Sequence, residues 1–369
     1  KEHSFRFLEF VAIATIGDVM DLQGENRIFV KAGLRALHKT QNLGLQELIR
    51  VQGIEAENVT PYHIGFVLGP CINASGRLDT AEHSLKLLCA KTREEAAKLA
   101  GDLKDLNESR KELTRQGEAK AIELVETSPL QNDKVLVVYL PDCHESLAGI
   151  IAGRLREHFH KPSFVLTRSE EGVKGSGRSI GSFNLFEALT SCEDLFERYG
   201  GHALAAGLTV QADRIDELRG HPMAAGLSLA GEEMIEPFRR ALNDNSTLTE
   251  EDFVEKVVID VPMPITYITK NLIRQLSLLE PFGKGNTKPL FAQKGLTVLN
   301  YRIFGKNRNV VKVQLADVGG YQMDGVYFGE GEAFAAYVDA HPTLSVAYYP
   351  SIDTWNGRDK LQINIQSYF

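Results

Sequence analysis

Hydrophobic and polar positions change their spacing along this chain, and the changes divide it into regions of different predicted structure. Up to about residue 90, apolar positions recur at helical intervals, at 30–38, 43–51, 62–68 and 81–89. The first stretch, 7–22, is apolar and then acidic, as though it continued an element that begins upstream. A domain does not usually start in this way.

A long charged stretch follows, and then β-branched segments. From residue 92 to about 126 the sequence is rich in Ala, Glu, Lys, Leu and Arg without Pro, which predicts one long or slightly broken helix. A strand, a helix, a second strand and a third strand or strand edge are then expected at 135–139, 147–158, 163–167 and 174–179. This order is typical of an α/β domain. Helices at 186–192 and 194–199 would lead into a Gly-Gly-His turn.

The last part of the chain, from about Lys256, alternates short strands with Gly, Asn and Asp turns. The expected strands lie at 296–304, 310–316, 323–328, 344–349 and 360–366. This spacing predicts a small β-barrel. The fold class is therefore α/β plus β, with domains expected at 1–90, 91–128, 129–250 and 251–369.

Composition narrows the class of protein. With 43% hydrophobic and 24% charged residues, the chain is ordinary globular material. No apolar run approaches the roughly 20 residues of a membrane span, and the first residues form no signal peptide, so we expect a cytoplasmic protein without a membrane partner. The cysteines lack metal-site and disulfide spacing, which favours buried thiols; they are Cys71, Cys89, Cys143 and Cys192.

The distribution of charge matters more than its sum. A net charge of −8 speaks against a nucleic-acid partner, because phosphate binding needs local Lys and Arg. Basic residues nevertheless gather in glycine-rich loops at 174–178, 282–286 and 305–308. Such clusters would let an acidic protein hold an anionic strand in a basic channel.

Carboxylates at the end of the first apolar stretch are candidate metal ligands. Asp18 and Asp21 occupy a position where strand-end carboxylates often bind Mg²⁺ or Mn²⁺, although these residues alone favour a helix N-cap or a solvated turn. A two-metal centre needs several carboxylates and His residues. These two residues by themselves do not supply one.

Several short segments are suited to phosphate. Ser176-Gly-Arg178-Ser179 combines a hydroxyl, a close backbone approach and a guanidinium fork, and Asn73-Ala-Ser-Gly-Arg77 offers a similar set. The alternatives are a plain strand edge and a helix-capping turn with a surface Arg. His144 lies between a predicted strand and a predicted helix, where ligands often bind and where a helix cap is also common.

A Gly-His segment occurs twice. Gly201 and His202 could form an anion nest with an imidazole beside it, but a plain turn is more common. His221 lies in a similar Gly-His-x-x-Ala-Ala-Gly segment, at 220–226, and competes for the same role.

In the last domain, aromatic residues alternate with basic ones, as a stacking surface with a basic track requires. These residues are Tyr301, Phe304, Tyr327 and Phe328, with Lys306, Arg308 and Lys312. A barrel core with a solvated rim would also place aromatic residues here.

Taken in order, these stretches resemble the RecJ family of DHH phosphoesterases. Residues 11–19 resemble the family's fourth catalytic motif, which ends a strand with an Asp ligand, and Asp18 is the match. Residues 73–77 resemble its Asn-Ala-x-Gly-Arg segment, and 280–286 resemble the lead into its OB fold. The segments around His144, Ser176 and Gly201 resemble the DHH-associated domain. The resemblance implies a DHH-domain remnant, a connecting helix, a DHH-associated domain and an OB-fold barrel.

The resemblance also implies roles. Asp18 would bind Mn²⁺ or Mg²⁺, Ser176 and Arg178 would hold the 5′ phosphate, Arg77 would line a channel for one strand, and His202 would hold the terminal nucleotide. Substrate contacts would also come from Asn73, His144, Ser179 and Gly201, and OB-fold contacts from Lys284, Lys306 and Arg308.

By the same resemblance, the function is 5′-to-3′ hydrolysis of single-stranded DNA in repair and recombination. A monomer is implied, with a helicase or a single-strand-binding protein as possible partners. The family's N-terminal motifs should precede Asp18 and nothing here resembles them, so we expect the chain alone to be catalytically incomplete. The family usually has a Gly after the His at the strand end, and this chain has Glu145-Ser146 there instead. The alternatives are a non-catalytic single-strand-binding module and a phosphodiesterase of short oligonucleotides.

Overall fold

The computed structural model describes residues 7–78, 80–169, 172–195, 198–200, 224–229, 231–254, 256–354 and 359–369. The chain divides into two compact units. Unit 1 comprises 1–19 and 32–255, and unit 2 comprises 20–31 and 256–369. Within the described residues no helix combines the length and apolar character needed to cross a bilayer.

The regular elements described within the first 90 residues are all helices. The helices are α1 (Leu8–Gly17), α2 (Gly24–Leu37), α3 (Leu43–Val51), α4 (Pro61–His63), α5 (Gly69–Leu78) and α6 (Glu82–Cys89), with a π-helical segment at Ile64–Leu68 between α4 and α5. Leu45, Leu48, Ile64 and Leu68 are completely buried in the core of this region.

One expectation fails here, because Asp18 follows a helix and not a strand. Its backbone N–H donates to the carbonyl of Ala14, as the residue after a helix does. A short apolar run fits a buried strand and a helix equally well, and a strand needs a neighbouring strand to satisfy its backbone. Among the described residues no strand precedes Leu136.

The predicted long helix is present as α7, which runs over 34 residues from Arg93 to Glu126. The Thr92 hydroxyl caps its N-terminus by accepting from the backbone N–H of Glu95 at 3.2 Å. Buried residues at 96, 100 and 103 join the helical core, and those at 121 and 125 join the core of the α/β region. The helix therefore belongs to both cores of unit 1.

The α/β part of unit 1 contains one five-stranded sheet. Its strands are β1 (Leu136–Tyr139), β2 (Ser163–Ser169), β3 (Gly172–Arg178), β4 (Arg198–Gly200) and β5 (Ala224–Leu229), in the order β1-β2-β3-β5-β4. β1 and β2 are parallel, as the predicted strand, helix, strand order requires. The crossover helix is α8 (Glu145–Phe159), and α9 (Leu185–Thr190) and α10 (Ile235–Asp244) follow later in the chain. The helix predicted at 194–199 is wrong, since Tyr199 pairs with Leu227 in the sheet.

Unit 2 contains a six-stranded sheet. Its elements are β6 (Val261–Pro262), α11 (Lys270–Leu276), β7 (Phe291–Phe304), β8 (Val310–Ala316), β9 (Gln322–Phe328), α12 (Gly331–Ala340), β10 (Leu344–Asp353) and β11 (Lys360–Tyr368). β7 is long enough to pair twice, with β10 through its first half and with β8 through its second. All five strands predicted for this region are confirmed, whereas α12 was not expected.

Candidate nucleic-acid interface

The predicted Ser-Gly-Arg segment lies at the end of β3, and its side chains alternate between the two faces of the sheet. Gly177 lies against the ring of Phe164, where an added Cβ would come within 2.5 Å of a ring carbon. Ser176 and Arg178 point to the opposite face, which is covered by α8. The strand therefore delivers these two side chains together to one surface.

Arg178 lies across α8 at a place where that helix has no side chain. A Cβ added to Gly149 would meet the Arg178 Nη2 at 2.8 Å and the Ser176 Cβ at 3.4 Å. Gly153, one turn further along α8, lies beside the Arg178 side chain as well, with its Cγ at 3.9 Å from an added Cβ. Arg178 also donates from Nη1 to the carbonyl of Gly177 at 2.7 Å, which fixes the half-buried guanidinium.

A second guanidinium reaches the same helix from α5. Arg77 donates from Nη1 to the carbonyl of Ser146, in the first turn of α8, at 2.7 Å. Asn73 precedes Arg77 by one helical turn, and both side chains are exposed, so they lie on one face of α5. The Asn-Ala-x-Gly-Arg segment is thus helical, which contradicts the alternative of a helix-capping turn.

A third arginine completes a cationic group, and it comes from α7. Arg110 is half-buried and donates from Nε to the Oδ1 of the buried Asn107 at 3.1 Å. Arg77, Arg110 and Arg178 are called here the arginine cluster. Nothing in the sequence of α7 distinguishes Arg110 from the many other basic residues of that helix.

The arginines of the cluster are desolvated and close enough to repel one another. Desolvation lowers the pKa of Arg178, and the positive charges of Arg77 and Arg156 lower it further. Desolvation likewise lowers the pKa of Arg110, with Arg77 as the next largest cause, and it lowers the pKa of Arg77. Guanidinium groups stay protonated even so. Among the described residues neither Arg77 nor Arg178 has a carboxylate within ion-pair distance, whereas the charge of Glu108 acts on Arg110.

The N-terminus of α8 adds hydrogen-bond donors. His144 is its N-cap, and the His144 Nδ1 accepts from the backbone N–H of Ser146 at 3.3 Å. A neutral ring that accepts at Nδ1 carries its proton at Nε2, where it can donate to an anion. The exposed His144 therefore serves as a cap, one of the two roles left open, and its ring still has a donor.

Ser179 is not brought to this surface. It is fully buried, and its hydroxyl donates to the carbonyl of Phe183 at 2.7 Å. Strand alternation explains this, because Ser179 follows Arg178 and points to the opposite face. Gly201, His202 and His221 lie outside the described residues.

Among the described residues, the proposed metal ligand Asp18 does not belong to a cluster of candidate metal ligands. Asp18 is exposed at the end of α1, and in the described part of the chain no three His, Cys, Asp or Glu side chains come together as a metal site requires. A pair of Mn²⁺ or Mg²⁺ ions needs several such ligands. The described residues therefore do not fit a two-metal centre.

In unit 2, the predicted cations differ in their surroundings. The Lys284 Nζ lies 3.3 Å from a carboxylate oxygen of Asp21, and Arg308 pairs with Glu332 of α12. Lys306 lies in the turn between β7 and β8 and has no ion pair with a described residue. Two of the three cations are thus already neutralised.

The aromatic residues of unit 2 divide into two groups. Tyr301 and Tyr327 pack around Phe334 of α12, with ring centroids 6.4 and 5.4 Å away, and belong to the core. Phe304 and Phe328 are exposed and lie in register on either side of Val310. The core interpretation is therefore confirmed for Tyr301 and Tyr327, and the stacking surface stays a prediction for the exposed Phe304 and Phe328.

The exposed face of β7, β8 and β9 also carries basic residues. Arg302 and Lys312 pair across β7 and β8, next to the row that contains Phe304 and Phe328. The Arg302 guanidinium lies 5.9 Å from the centroid of the Phe304 ring. This face combines exposed rings with cations, which is the arrangement that binds single strands.

Comparison with known proteins identifies domains in both units of the chain. Residues 132–219 match the model of the DHHA1 domain, and residues 259–367 match the RecJ OB domain. The chain is 34% identical to the single-stranded-DNA-specific exonuclease RecJ of Bacillus subtilis over 363 residues, and 30% identical to that of Escherichia coli over 372 residues. The chain is a RecJ homologue. These alignments include 97% and 98% of the chain.

Solved structures of RecJ also match this chain. A crystal structure of RecJ from Thermus thermophilus in complex with Mg²⁺ matches 99% of the chain with a TM-score of 0.81 at 28% identity, and its counterpart with Mn²⁺ has a TM-score of 0.80. The chain spans only part of its relatives: 43% of the Bacillus RecJ, 60% of the Escherichia RecJ and 52% of the Thermus structure with Mg²⁺.

Proposed function

We propose that this RecJ homologue binds the 5′ end of single-stranded DNA, with the terminal phosphate at the arginine cluster beside the first turn of α8. The observation that carries the proposal is the absence of a counterion for Arg77 and Arg178 within the described residues, although desolvation lowers the pKa of both. Desolvated charges without a partner are costly to a folded protein. A phosphate would supply the missing charge and accept paired hydrogen bonds.

The geometry around Arg178 supports a terminal phosphate. Ser176 and Arg178 face α8 together, and the backbone N–H groups at the start of a helix favour anions. The Nε2 of His144 adds a donor at the same helix end. A hydroxyl, a guanidinium and a helix N-terminus together suit the extra charge of a 5′ phosphate.

Unit 2 offers a second surface of the same chemistry. Phe304 and Phe328 could stack on bases while Arg302 and Lys312 contact phosphates, as OB-type surfaces do. The double pairing of β7, with β8 and with β10, supports the curved sheet of an OB domain.

We further propose that this binding serves 5′-to-3′ exonuclease activity in repair and recombination, with divalent metals as cofactors. The support is the similarity to RecJ and the Mg²⁺ and Mn²⁺ in its solved structures. Because the described residues of this chain do not fit a two-metal centre, no hydrolytic step can be assigned to them. Binding without cleavage by this chain is therefore the second candidate function.

The test compares a 5′-phosphorylated single strand with a duplex of the same sequence, by fluorescence anisotropy at several salt concentrations. Three phosphate contacts at the arginine cluster should give a slope of log K against log salt of about −2, at roughly 0.7 per contact for single strands. Equal affinity for the duplex, or no salt dependence, would exclude the proposal. A parallel incubation with Mn²⁺ separates the two candidates, because only an exonuclease shortens the strand.

A further inference from the structure

The helical stretch that carries Arg77 has a second feature, a pair of exposed aromatic rings. Tyr62 is 63% exposed and Phe66 is 69% exposed, and they lie one turn apart near the start of this stretch. The opposite face is buried in the core of the helical region through Ile64, Leu68, Cys71 and Ser75. The exposed face therefore runs from Tyr62 and Phe66 to Asn73 and Arg77.

The two rings support each other in a flat arrangement. Their centroids lie 5.2 Å apart with an interplanar angle of 28°, which is a stacked geometry. The start of the helix is fixed by a capping box in which the His63 Nδ1 accepts from the backbone N–H of Thr60 at 3.1 Å. The rings are therefore held on an ordered element and leave a broad apolar surface exposed.

The helical stretch that carries these rings has no acidic residue, which is compatible with an anionic ligand. The sequence from 61 to 78 contains no Asp or Glu, and Arg77 near its end forms no ion pair with a described residue. Single-stranded nucleic acids combine anionic phosphates with flat bases, and aromatic side chains stack on bases whatever their sequence.

We propose that Tyr62 and Phe66 form a base-stacking platform for the part of the strand that follows the phosphate held at the arginine cluster. This inference rests on the proposed function and extends it with a second subsite. The occupant is single-stranded DNA, because the platform continues along the same exposed face as Asn73 and Arg77.

The position of the platform along the strand follows from helix geometry. Phe66 and Arg77 are separated by 11 positions in the sequence, or roughly 16 Å at about 1.5 Å per residue. At about 3.4 Å per stacked nucleotide, this distance corresponds to roughly five nucleotides. The platform should therefore contact bases near the fifth nucleotide and should not be reached by a trinucleotide.

The experiment measures the affinities of 5′-phosphorylated oligothymidylates of 3 and 12 nucleotides for the full chain and its variants. Tyr62→Ala and Phe66→Ala should each weaken binding of the 12-mer at least fivefold, which is about the lower end for loss of a base–aromatic stack, and should leave the trinucleotide unchanged. Tyr62→Phe and Phe66→Tyr keep the rings and should retain affinity. Leu85→Ala is the matched control, since it removes an exposed apolar side chain (62%) from α6.

Arg178→Ala separates this inference from the proposed function, because it should weaken both oligonucleotides. If Arg178→Ala has that effect while the ring variants bind the 12-mer like the unaltered chain, the platform is wrong and the phosphate site stands. Equal losses for both lengths would also overturn the platform. So would a change in oligomeric state without a change in DNA affinity, because the rings would then cover a second copy of the chain.

Photo-cross-linking of the unaltered chain avoids any effect of substitution on folding. A 12-mer with 5-iodouracil at one position at a time should cross-link to Tyr62 or Phe66 most strongly near the fifth nucleotide. Cross-links to these residues at no position would overturn the platform.

Discussion

The cations of unit 1 and unit 2 differ in what surrounds them. Arg178 is half-buried, lies near other arginines and forms no ion pair with a described residue, whereas Lys284 and Arg308 are exposed and lie beside carboxylates. Exposed ion pairs contribute little to stability or binding because water and salt already screen them. A desolvated cation without a counterion gains much more when an anion arrives. The comparison teaches that the surroundings of a basic residue decide its value for phosphate, and a count of basic residues does not.

The largest effect is expected at Arg178. Replacing it with Ala removes a charge-assisted fork worth about 1.5 to 3 kcal/mol, so affinity for a 5′-phosphorylated strand should fall roughly 10- to 150-fold. Arg178→Lys keeps the charge without the paired geometry and should lose less. The dissociation constants for strands with 5′ phosphate and 5′ hydroxyl ends provide the measurement.

The two strand types decide what Arg178 does. If it holds the terminal phosphate with Ser176, the loss must be larger for the phosphorylated strand. Equal losses, with Lys restoring most of the affinity, would make Arg178 one more cation in a general channel and would remove the 5′-end site.

A substitution at Gly149 tests the same site without removing a charged residue. A Cβ in Gly149→Ala would lie 2.8 Å from the Arg178 Nη2, so the guanidinium must shift. Binding should weaken about three- to tenfold, part of the loss seen in Arg178→Ala. The free energy of unfolding should not fall, because Ala is favoured over Gly within a helix by roughly 0.5 to 1 kcal/mol.

The matched control is Gly101→Ala in α7, where an added Cβ meets no atom within 4 Å. It should raise the midpoint of thermal unfolding and leave DNA affinity unchanged. A loss of affinity in both Ala variants would point to a general change in the helices. A double variant with Arg178→Ala should show that the two losses are not additive.

The sequence predicts the faces of regular elements well. Strand alternation places Ser176 and Arg178 together, and the α/β order and the last five strands follow from periodicity and turns. Ser179 could have been excluded on the same ground, because it lies one residue beyond Arg178 and so on the other face. The helix that precedes Asp18 could not be predicted, since its apolar run has no clear period.

The pattern of residues along the sequence does not predict which distant segments contact one another. Arg77, Arg110 and Arg178 come from two helices and a strand, and only the packing of those elements onto α8 brings them together. The glycine pair at 149 and 153 was the one local signal, because its spacing of four marks a helix face that lies close to another element. The core role of Tyr301 and Tyr327 depends on α12, which was not expected from the sequence.

The salt dependence of DNA affinity tests whether Arg110 contacts the strand. Arg110→Gln removes one cation but keeps a donor for Asn107, and it relieves repulsion from Arg77. The slope of log K against log salt should become shallower by about 0.7, the value for one phosphate contact on a single strand. Thermal unfolding at low salt should show no loss of stability. An unchanged slope would show that Arg110 does not contact the strand.

The smallest change in DNA affinity is expected from substitutions in unit 2. Arg308 and Glu332 are both exposed and form an ion pair, so the Arg308 charge is largely cancelled. Arg308→Ala should weaken DNA binding less than about twofold, because an exposed pair is worth under about 1 kcal/mol.

Glu332→Gln removes the anion of the same ion pair, whereas Arg308→Ala removes the cation, so the two substitutions should change DNA affinity in opposite directions. It removes the carboxylate that neutralises Arg308 and keeps a side chain of similar size, so affinity should rise slightly, again within about twofold. The rise should be measurable near 50 mM salt and should disappear near 1 M, where screening acts within about 3 Å. Asp324→Asn is the control, since Asp324 pairs with Lys360 and not with one of the predicted DNA contacts. If Arg308→Ala instead lowers affinity as much as Arg178→Ala, an exposed and paired cation would equal a desolvated one, and the contrast between the two units would fail.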